Sequence, residues 1–227
     1  MNPILLSYPR SGSHWLSYCI AQAFNVEILE AAKGKCVRAP FPYPSEPKAS
    51  FIKRHGHESN FWTKEIGGPC LLILRNPLEC IPRHLDSKRD EAILGSMSGK
   101  DLKALENATD YITILEYYDK LKSCKGIVYY EDLIQNPVDT IKSLSNFFSA
   151  AFSLDYSGSF EDNLSILTEK SLNFYNTFNK SQTMGKHITF HSRNLNTGTV
   201  DLVWHHLDSN FRLLTKKYLE KYRENNS

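Results

Sequence analysis

Ser7-Tyr-Pro-Arg-Ser-Gly-Ser-His-Trp-Leu16 lies between a short apolar run, Pro3 to Leu6, and a stretch whose apolar residues, Trp15-Leu16, Ile20, Ala23 and Phe24, fall at helical spacing. The first run predicts a buried strand and the second a helix, so Pro9 to Ser13 is the turn between them. Such a turn gathers Gly12, Ser13 and the first free backbone N–H groups of the helix around one point. An oxyanion held there meets backbone donors, the positive end of the helix dipole, the hydroxyls of Ser11 and Ser13, and the guanidinium of Arg10.

This loop is not the one that binds nucleoside triphosphates. That motif requires G-x-x-x-x-G-K-[ST], with the lysine on the outer phosphates and the hydroxyl on magnesium. Gly12 is the only glycine in the turn, and no Gly-Lys-Ser/Thr follows it. Gly95-Ser-Met-Ser-Gly-Lys-Asp101 imitates the motif but is one residue short, and it ends in a carboxylate where a metal-binding hydroxyl belongs.

The string SYPRSGSHWL resembles the 5′-phosphosulfate loop of the cytosolic-type sulfotransferases, enzymes that use 3′-phosphoadenosine 5′-phosphosulfate (PAPS). Further segments are similar to that family's motifs in the same order. Phe51-Ile-Lys-Arg-His-Gly-His57 resembles its apolar-Lys-Thr-His segment, with Arg54 in place of the threonine, and puts His55 at the position of the catalytic base. Cys70-Leu-Leu-Ile-Leu-Arg-Asn-Pro-Leu-Glu79 resembles the strand-to-helix motif whose arginine, here Arg75, binds the cofactor's 3′-phosphate. Eight residues on, the family's serine is replaced by Arg83, with Ser87 further along. Gly126-Ile-Val-Tyr-Tyr-Glu-Asp-Leu133 looks like the strand ending in Tyr-Glu-Asp, which puts Tyr130 near the adenine. Ser192-Arg-Asn-Leu-Asn-Thr-Gly198 is a degraded form of the Arg-Lys-Gly-x-x-Gly loop that closes over the 3′-phosphate, with Arg193 and Gly198 at the right spacing.

The resemblance implies sulfuryl transfer from PAPS to a hydroxyl or amine of a small-molecule acceptor, without a metal. Arg10 then stands where the family has a lysine beside the bridging oxygen. It can neutralise developing charge there but, with a pKa above about 12, cannot donate a proton. His55 would take the proton of the attacking group, Lys53 would hold a sulfuryl oxygen, and Trp15 would stack on the adenine. Ser11, Gly12, Ser13 and His14 complete the cofactor loop, and adenosine 3′,5′-bisphosphate is the product. The family's short dimer motif is not recognisable after Gly198, which implies a monomer or a dimer of another kind. Two other readings stand beside this one: a nucleotide or small-molecule kinase of the wider P-loop architecture, and an inactive module that retains adenosine bisphosphate.

Structural explanations compete at several positions. His57 faces the same way as His55 in a strand, and the pair has the spacing of metal ligands, but no third ligand cluster accompanies it. Arg83 lies one helical turn from Glu79 and near Asp86, the arrangement of a solvated ion pair. His205 and His206 read as surface and packing residues of the last helix.

The chain as a whole suits one α/β domain over residues 1–227. Its 227 residues, 41% of them hydrophobic, suffice for a full core, and no shift in composition marks a second domain. A net charge of +2 argues against a nucleic-acid coat. The longest apolar run, Cys70 to Leu74, is too short for a bilayer, and Ile4-Leu5-Leu6 is too short for a secretory signal, so a cytoplasmic protein with no membrane partner is expected. Five cysteines without a Cys-x-x-Cys pair fit free thiols in a reducing compartment.

Alternation of element types predicts a mainly parallel sheet with helices on both faces. Strands are expected near 3–7, 50–54, 69–74 and 125–129, and helices near 13–24, 77–88, 101–122, 137–150 and 205–223. In the helix opened by Asn136-Pro137, Val138, Ile141, Leu144 and Phe148 share one face. The Pro-rich stretch Ala39 to Pro47 and the aromatics Phe41, Tyr43, Phe61, Trp62 and Phe174 are candidates for the acceptor pocket. Ligands of open α/β sheets bind at the carboxyl ends of the strands, where the motif residues fall.

Overall fold

A computed structural model of the chain describes residues 3–32, 35–39, 46–55, 68–87, 97–169 and 197–224. Its centre is strand β1 (Ile4–Ser7), whose four residues are all buried. Leu5 points into the apolar layer on one side of the sheet, while Ile4 and Leu6 point into the layer on the other. A strand covered on both faces has no polar side, which is why Ile-Leu-Leu runs unbroken.

Parallel partners flank it: β4 (Ala49–His55) on one side and β5 (Cys70–Leu74) on the other. Beyond β4 come β2 (Val26–Ala32) and the antiparallel edge strand β3 (Lys35–Arg38), and beyond β5 comes β6 (Lys125–Tyr129). The order is β3-β2-β4-β1-β5-β6, five parallel strands and one antiparallel edge. The chain leaves β1 towards β2 and later crosses to β5, so the sheet's topological switch lies at the carboxyl end of β1.

Helix α1 (Ser13–Phe24) covers one face together with α4 (Tyr130–Gln135), α5 (Pro137–Lys142), α6 (Ser145–Phe152) and α7 (Ser159–Asp162). The opposite face packs against α2 (Pro77–Ser87), α3 (Met97–Lys120) and α8 (Thr197–Glu224). Ile141, Leu144 and Phe148 enter the first layer, with Val138 packed against it, and the rings of Phe24 and Phe148 stack at 3.8 Å. Among the described residues, no helix is long and apolar enough to cross a membrane.

Three differences from the sequence reading have local causes. The helix expected over 137–150 is two helices. At the break Ser143 Oγ donates to the carbonyl of Thr140 at 2.7 Å and Ser145 Oγ to that of Lys142 at 2.7 Å, so side chains capture carbonyls near the end of the ladder. The last helix begins at Thr197 rather than near 205 and kinks at Phe211 (φ −138°, ψ 32°), where Thr215 Oγ1 donates to the carbonyls of Leu207 and Phe211 at 3.2 and 3.1 Å. Strands β2 and β3 have no counterpart in the sequence reading. Glu27 and Glu30 interrupt the apolar pattern of β2, and their charges are met across the sheet: Ser50 Oγ donates to Glu27 at 2.5 Å, and Lys53 Nζ lies 3.0 Å from Glu30.

Phe148 is fully buried, and its ring meets those of Phe24, Phe51, Phe147 and Phe152. Phe148→Ala is expected to lower the free energy of unfolding by about 3–5 kcal/mol, the usual cost of emptying a phenylalanine site. Urea titration of the two proteins measures it.

Candidate functional site

The carboxyl end of β1 passes into a tight loop in which both Arg10 (φ 67°) and Gly12 (φ 83°) adopt the left-handed conformation. Alternation of left-handed and ordinary residues turns successive N–H groups towards one side, forming an anion-binding concavity. Gly12 is also the N-cap of α1 and, as a glycine, makes no side-chain cap. Its first turn contains no acid either. The opening N–H groups of a 12-residue helix therefore face the loop with neither an N-cap side chain nor a carboxylate of their own turn to satisfy them.

Gly12 is required here for a second reason. A Cβ at this position would stand 2.2 Å from Cδ2 and 2.4 Å from Cε2 of Tyr130, so the tyrosine ring lies directly on the glycine. The other partner of that ring is Arg75, whose Cζ is 4.2 Å from its centroid, a cation–π contact. Arg75 is buried and donates from Nη1 to the carbonyl of Arg10 at 3.2 Å, and from Nε and Nη2 to Glu79 Oε2 at 3.1 and 2.5 Å. Glu79, read from the sequence as a partner for Arg83, thus takes Arg75.

Parallel register sets the other half of the site. Ser7, the last residue of β1, pairs with His55, the last of β4. Ser7 Oγ lies 2.9 Å from His55 Nδ1 and 3.4 Å from the carbonyl of Arg54. Lys53, two residues back and so on the same face, is mostly buried and ion-paired to Glu30 of β2 at 3.0 Å. His14, in the first turn of α1, sits close enough for the Lys53 charge to act on it. Burial, reinforced by Lys53, lowers its pKa to about 3. His14 is accordingly a neutral imidazole at working pH, able to present one N–H without adding charge.

Around this centre, Ser11 is buried beside Cys80, Ser13 is nearly so, and Trp15 is half-buried, stacked on Tyr18 at 6.2 Å. Arg10 is exposed at the tip of the loop. The structure therefore brings Arg10, Ser11, Gly12, Ser13, His14, Trp15, Lys53, His55, Arg75 and Tyr130 to the carboxyl edge of the sheet. Arg83 lies on α2 with its side chain outside the described residues, and Arg193 lies wholly outside them. The same holds for Phe41, Tyr43, Phe61, Trp62 and Phe174. Gly198 departs from expectation: it is exposed in the first turn of α8, not in a loop, because the helix begins eight residues earlier than the apolar pattern implied. The triphosphate-like Met97-Ser-Gly-Lys-Asp101 is likewise the opening of a helix, α3. Among the described residues, no group of three or more His, Cys, Asp or Glu has the arrangement to hold a metal ion.

Three contributors escaped the sequence reading. Ser7 and Glu30 are revealed only by strand register, and Glu131 by the C-terminal helix. Glu131 accepts the backbone N–H of Asn76 at 3.1 Å through Oε1 and the hydroxyl of Tyr222 at 2.9 Å through Oε2, fastening the turn after β5 to α8. For Lys53 and Glu30 the opposite charges were visible, but not the pairing of their strands.

A phosphate-type loop at the switch point of a mainly parallel sheet thus sits in an α/β fold that a solved sulfotransferase shares. Among solved structures the chain is similar to mouse sulfotransferase SULT7A1 complexed with PAP, at 16% identity over 99% of this chain and 88% of that one, with a TM-score of 0.53. No family profile matches the chain.

Two predictions follow from this geometry. Gly12→Ala is expected to destabilise the protein by about 1–3 kcal/mol through backbone strain and the clash with Tyr130. In a double-mutant cycle Tyr130→Ala should relieve the clash but not the strain, so the two changes cost less together than their sum. For His14, the folded chain resists protonation down to about pH 3, whereas the unfolded chain binds a proton near 6.5. Its burial therefore costs nothing above pH 6.5 and increasingly destabilises the fold as pH falls towards 3. His14→Gln should flatten that part of the stability profile, measured by thermal unfolding across pH.

Proposed function

We propose that the chain is a single-domain sulfotransferase that moves the sulfuryl group of PAPS to a hydroxyl or amine of a small-molecule acceptor, with His55 as general base. The observation that supports it most is the glycine-capped, acid-free start of α1 beside a strand-end histidine whose Nδ1 is engaged by Ser7. An anion belongs at the first and a proton acceptor at the second, a juxtaposition that transfer of a sulfuryl group to a hydroxyl requires. The PAP complex of the similar mouse enzyme supports the same donor.

The donor set fits PAPS. Backbone N–H groups at Gly12, Ser13, His14 and Trp15, with the hydroxyls of Ser11 and Ser13, would hold the 5′-phosphosulfate. Arg75 retains a further N–H on each terminal nitrogen beyond those given to Glu79 and Arg10, and these would meet the 3′-phosphate, with Arg83 and Arg193 as additional cations. Trp15 and Tyr130 offer aromatic surface to the adenine. When bound, PAPS supplies the sulfuryl group and a bisphosphate leaving group.

The chain's own groups then divide the work. His55 accepts the proton of the attacking hydroxyl. Lys53 orients a sulfuryl oxygen, drawn from its pair with Glu30. Arg10, permanently charged and at the loop tip, neutralises the leaving oxygen without giving up a proton. No metal enters this scheme.

The test is calorimetric and kinetic. Adenosine 3′,5′-bisphosphate without magnesium is expected to raise the melting temperature, by an amount that grows with its concentration. Stabilisation by ATP with magnesium alone would sink the proposal in favour of a kinase. His55→Ala is expected to keep the bisphosphate's affinity within about twofold and to lose transfer from labelled PAPS by about 10²-fold or more. Wild-type turnover by that variant removes His55 as the base. Binding without turnover in the wild-type chain, across phenol, steroid, amine and sugar acceptors, leaves an inactive binding module.

A further inference from the structure

We infer that Ser7 is the positioning residue that fixes the tautomer of His55, an assignment that rests on the sulfotransferase reading only for its catalytic consequence. Ser7 is fully buried at the end of β1, and its Oγ stands 2.9 Å from His55 Nδ1. Nδ1 is therefore the nitrogen that faces β1, and Nε2 lies on the other side of the ring. A serine hydroxyl has one proton and two lone pairs. Its second neighbour, the carbonyl of Arg54 at 3.4 Å, can only accept. Both contacts are hydrogen bonds in one arrangement alone: Ser7 donates to Arg54, and His55 donates its Nδ1–H to Ser7.

The lone pair then resides on Nε2. When an acceptor hydroxyl attacks the sulfur of PAPS, its proton would pass to Nε2 and its oxygen would form the new S–O bond, while the bond from sulfur to the bridging phosphate oxygen breaks and adenosine 3′,5′-bisphosphate leaves. The resulting imidazolium still donates Nδ1–H to Ser7, so no group must rotate between the two protonation states. A backbone carbonyl orients the serine, and the serine orients the imidazole, the task that a carboxylate performs in other histidine-based sites. Parallel register between β1 and β4 makes the relay rigid, because Ser7 and His55 are directly paired while Arg54 lies one residue back on the same strand as His55.

Nitrogen-15 NMR of the full chain labelled at histidine reads the tautomer directly, with His55 assigned by its disappearance in His55→Gln. The expected wild-type spectrum has a protonated Nδ1 and an unprotonated Nε2 above the imidazole's pKa. Ser7→Ala should shift His55 towards the Nε2–H tautomer and lower kcat about tenfold, the typical weight of one hydrogen bond, with the KM for PAPS little changed. Ser7→Thr, which restores the hydroxyl, should restore both. A wild-type Nε2–H form, or a tautomer ratio unmoved by Ser7→Ala, overturns the assignment. The spectrum needs no turnover, so a chain that shows the Nδ1–H form yet transfers no sulfuryl group would remove the catalytic reading and leave the role of Ser7 standing.

Discussion

The contacts of the Tyr130 ring with Gly12 and with the Arg75 guanidinium are the constraint around which the carboxyl edge of the sheet is arranged. Each member comes from a different strand end: Gly12 follows β1, Arg75 follows β5, and Tyr130 follows β6. Only a residue without a Cβ admits the ring at that distance, and only one that tolerates φ 83° gives the loop its turn. The two demands fall on one atom position. The loop's shape and its attachment to the rest of the sheet are thereby a single requirement.

That attachment extends well beyond the loop. Arg75 ties the carbonyl of Arg10 to Glu79, while its own carbonyl accepts the hydroxyl of the buried Tyr111 at 2.7 Å. One residue on, Asn76 is held by Glu131, which also accepts from Tyr222 near the end of the last helix. Tyr8, opening the loop, donates to Asn107 of α3 at 3.0 Å. Hydroxyls from α3 and α8 thus reach the strand ends from the face opposite α1. Burial raises the pKa of Tyr8, Tyr111 and Tyr222, so these phenols remain donors at any working pH.

Most of this edge was legible in the sequence because its signals are local. The unbroken Ile-Leu-Leu, the single glycine of the turn and the helical spacing after Ser13 each lie within one element and its turn. Arg75 and Tyr130 were readable as members of strand-ending motifs, though not their stacking, which depends on β1 lying next to β5 and β5 next to β6. The start of the last helix was missed because its first turn, Thr197 to Val200, carries little apolar periodicity and is helical in spite of its glycine and threonines. Strand β2 was missed for the converse reason. Its glutamates look like surface positions until Ser50 and Lys53 are set beside them.

The residues that sequence could not assign share a property: their chemistry depends on a neighbour in another strand. Ser7 in isolation is a small polar residue at a strand end, and Glu30 a charge in an unremarked segment. Register turns both into partners of the two side chains on the same face of β4, Ser7 of His55 and Glu30 of Lys53. A one-residue slip between β4 and its neighbours would exchange that face for the one bearing Arg54 and Ile52, and neither partnership would survive. The register is held in turn by Phe51, which lies two residues before Lys53 and is buried among Phe147, Phe148 and Phe152. The aromatic core below the site therefore determines which side chains β4 presents at its end, and apolar packing that touches no ligand specifies the polar geometry above it.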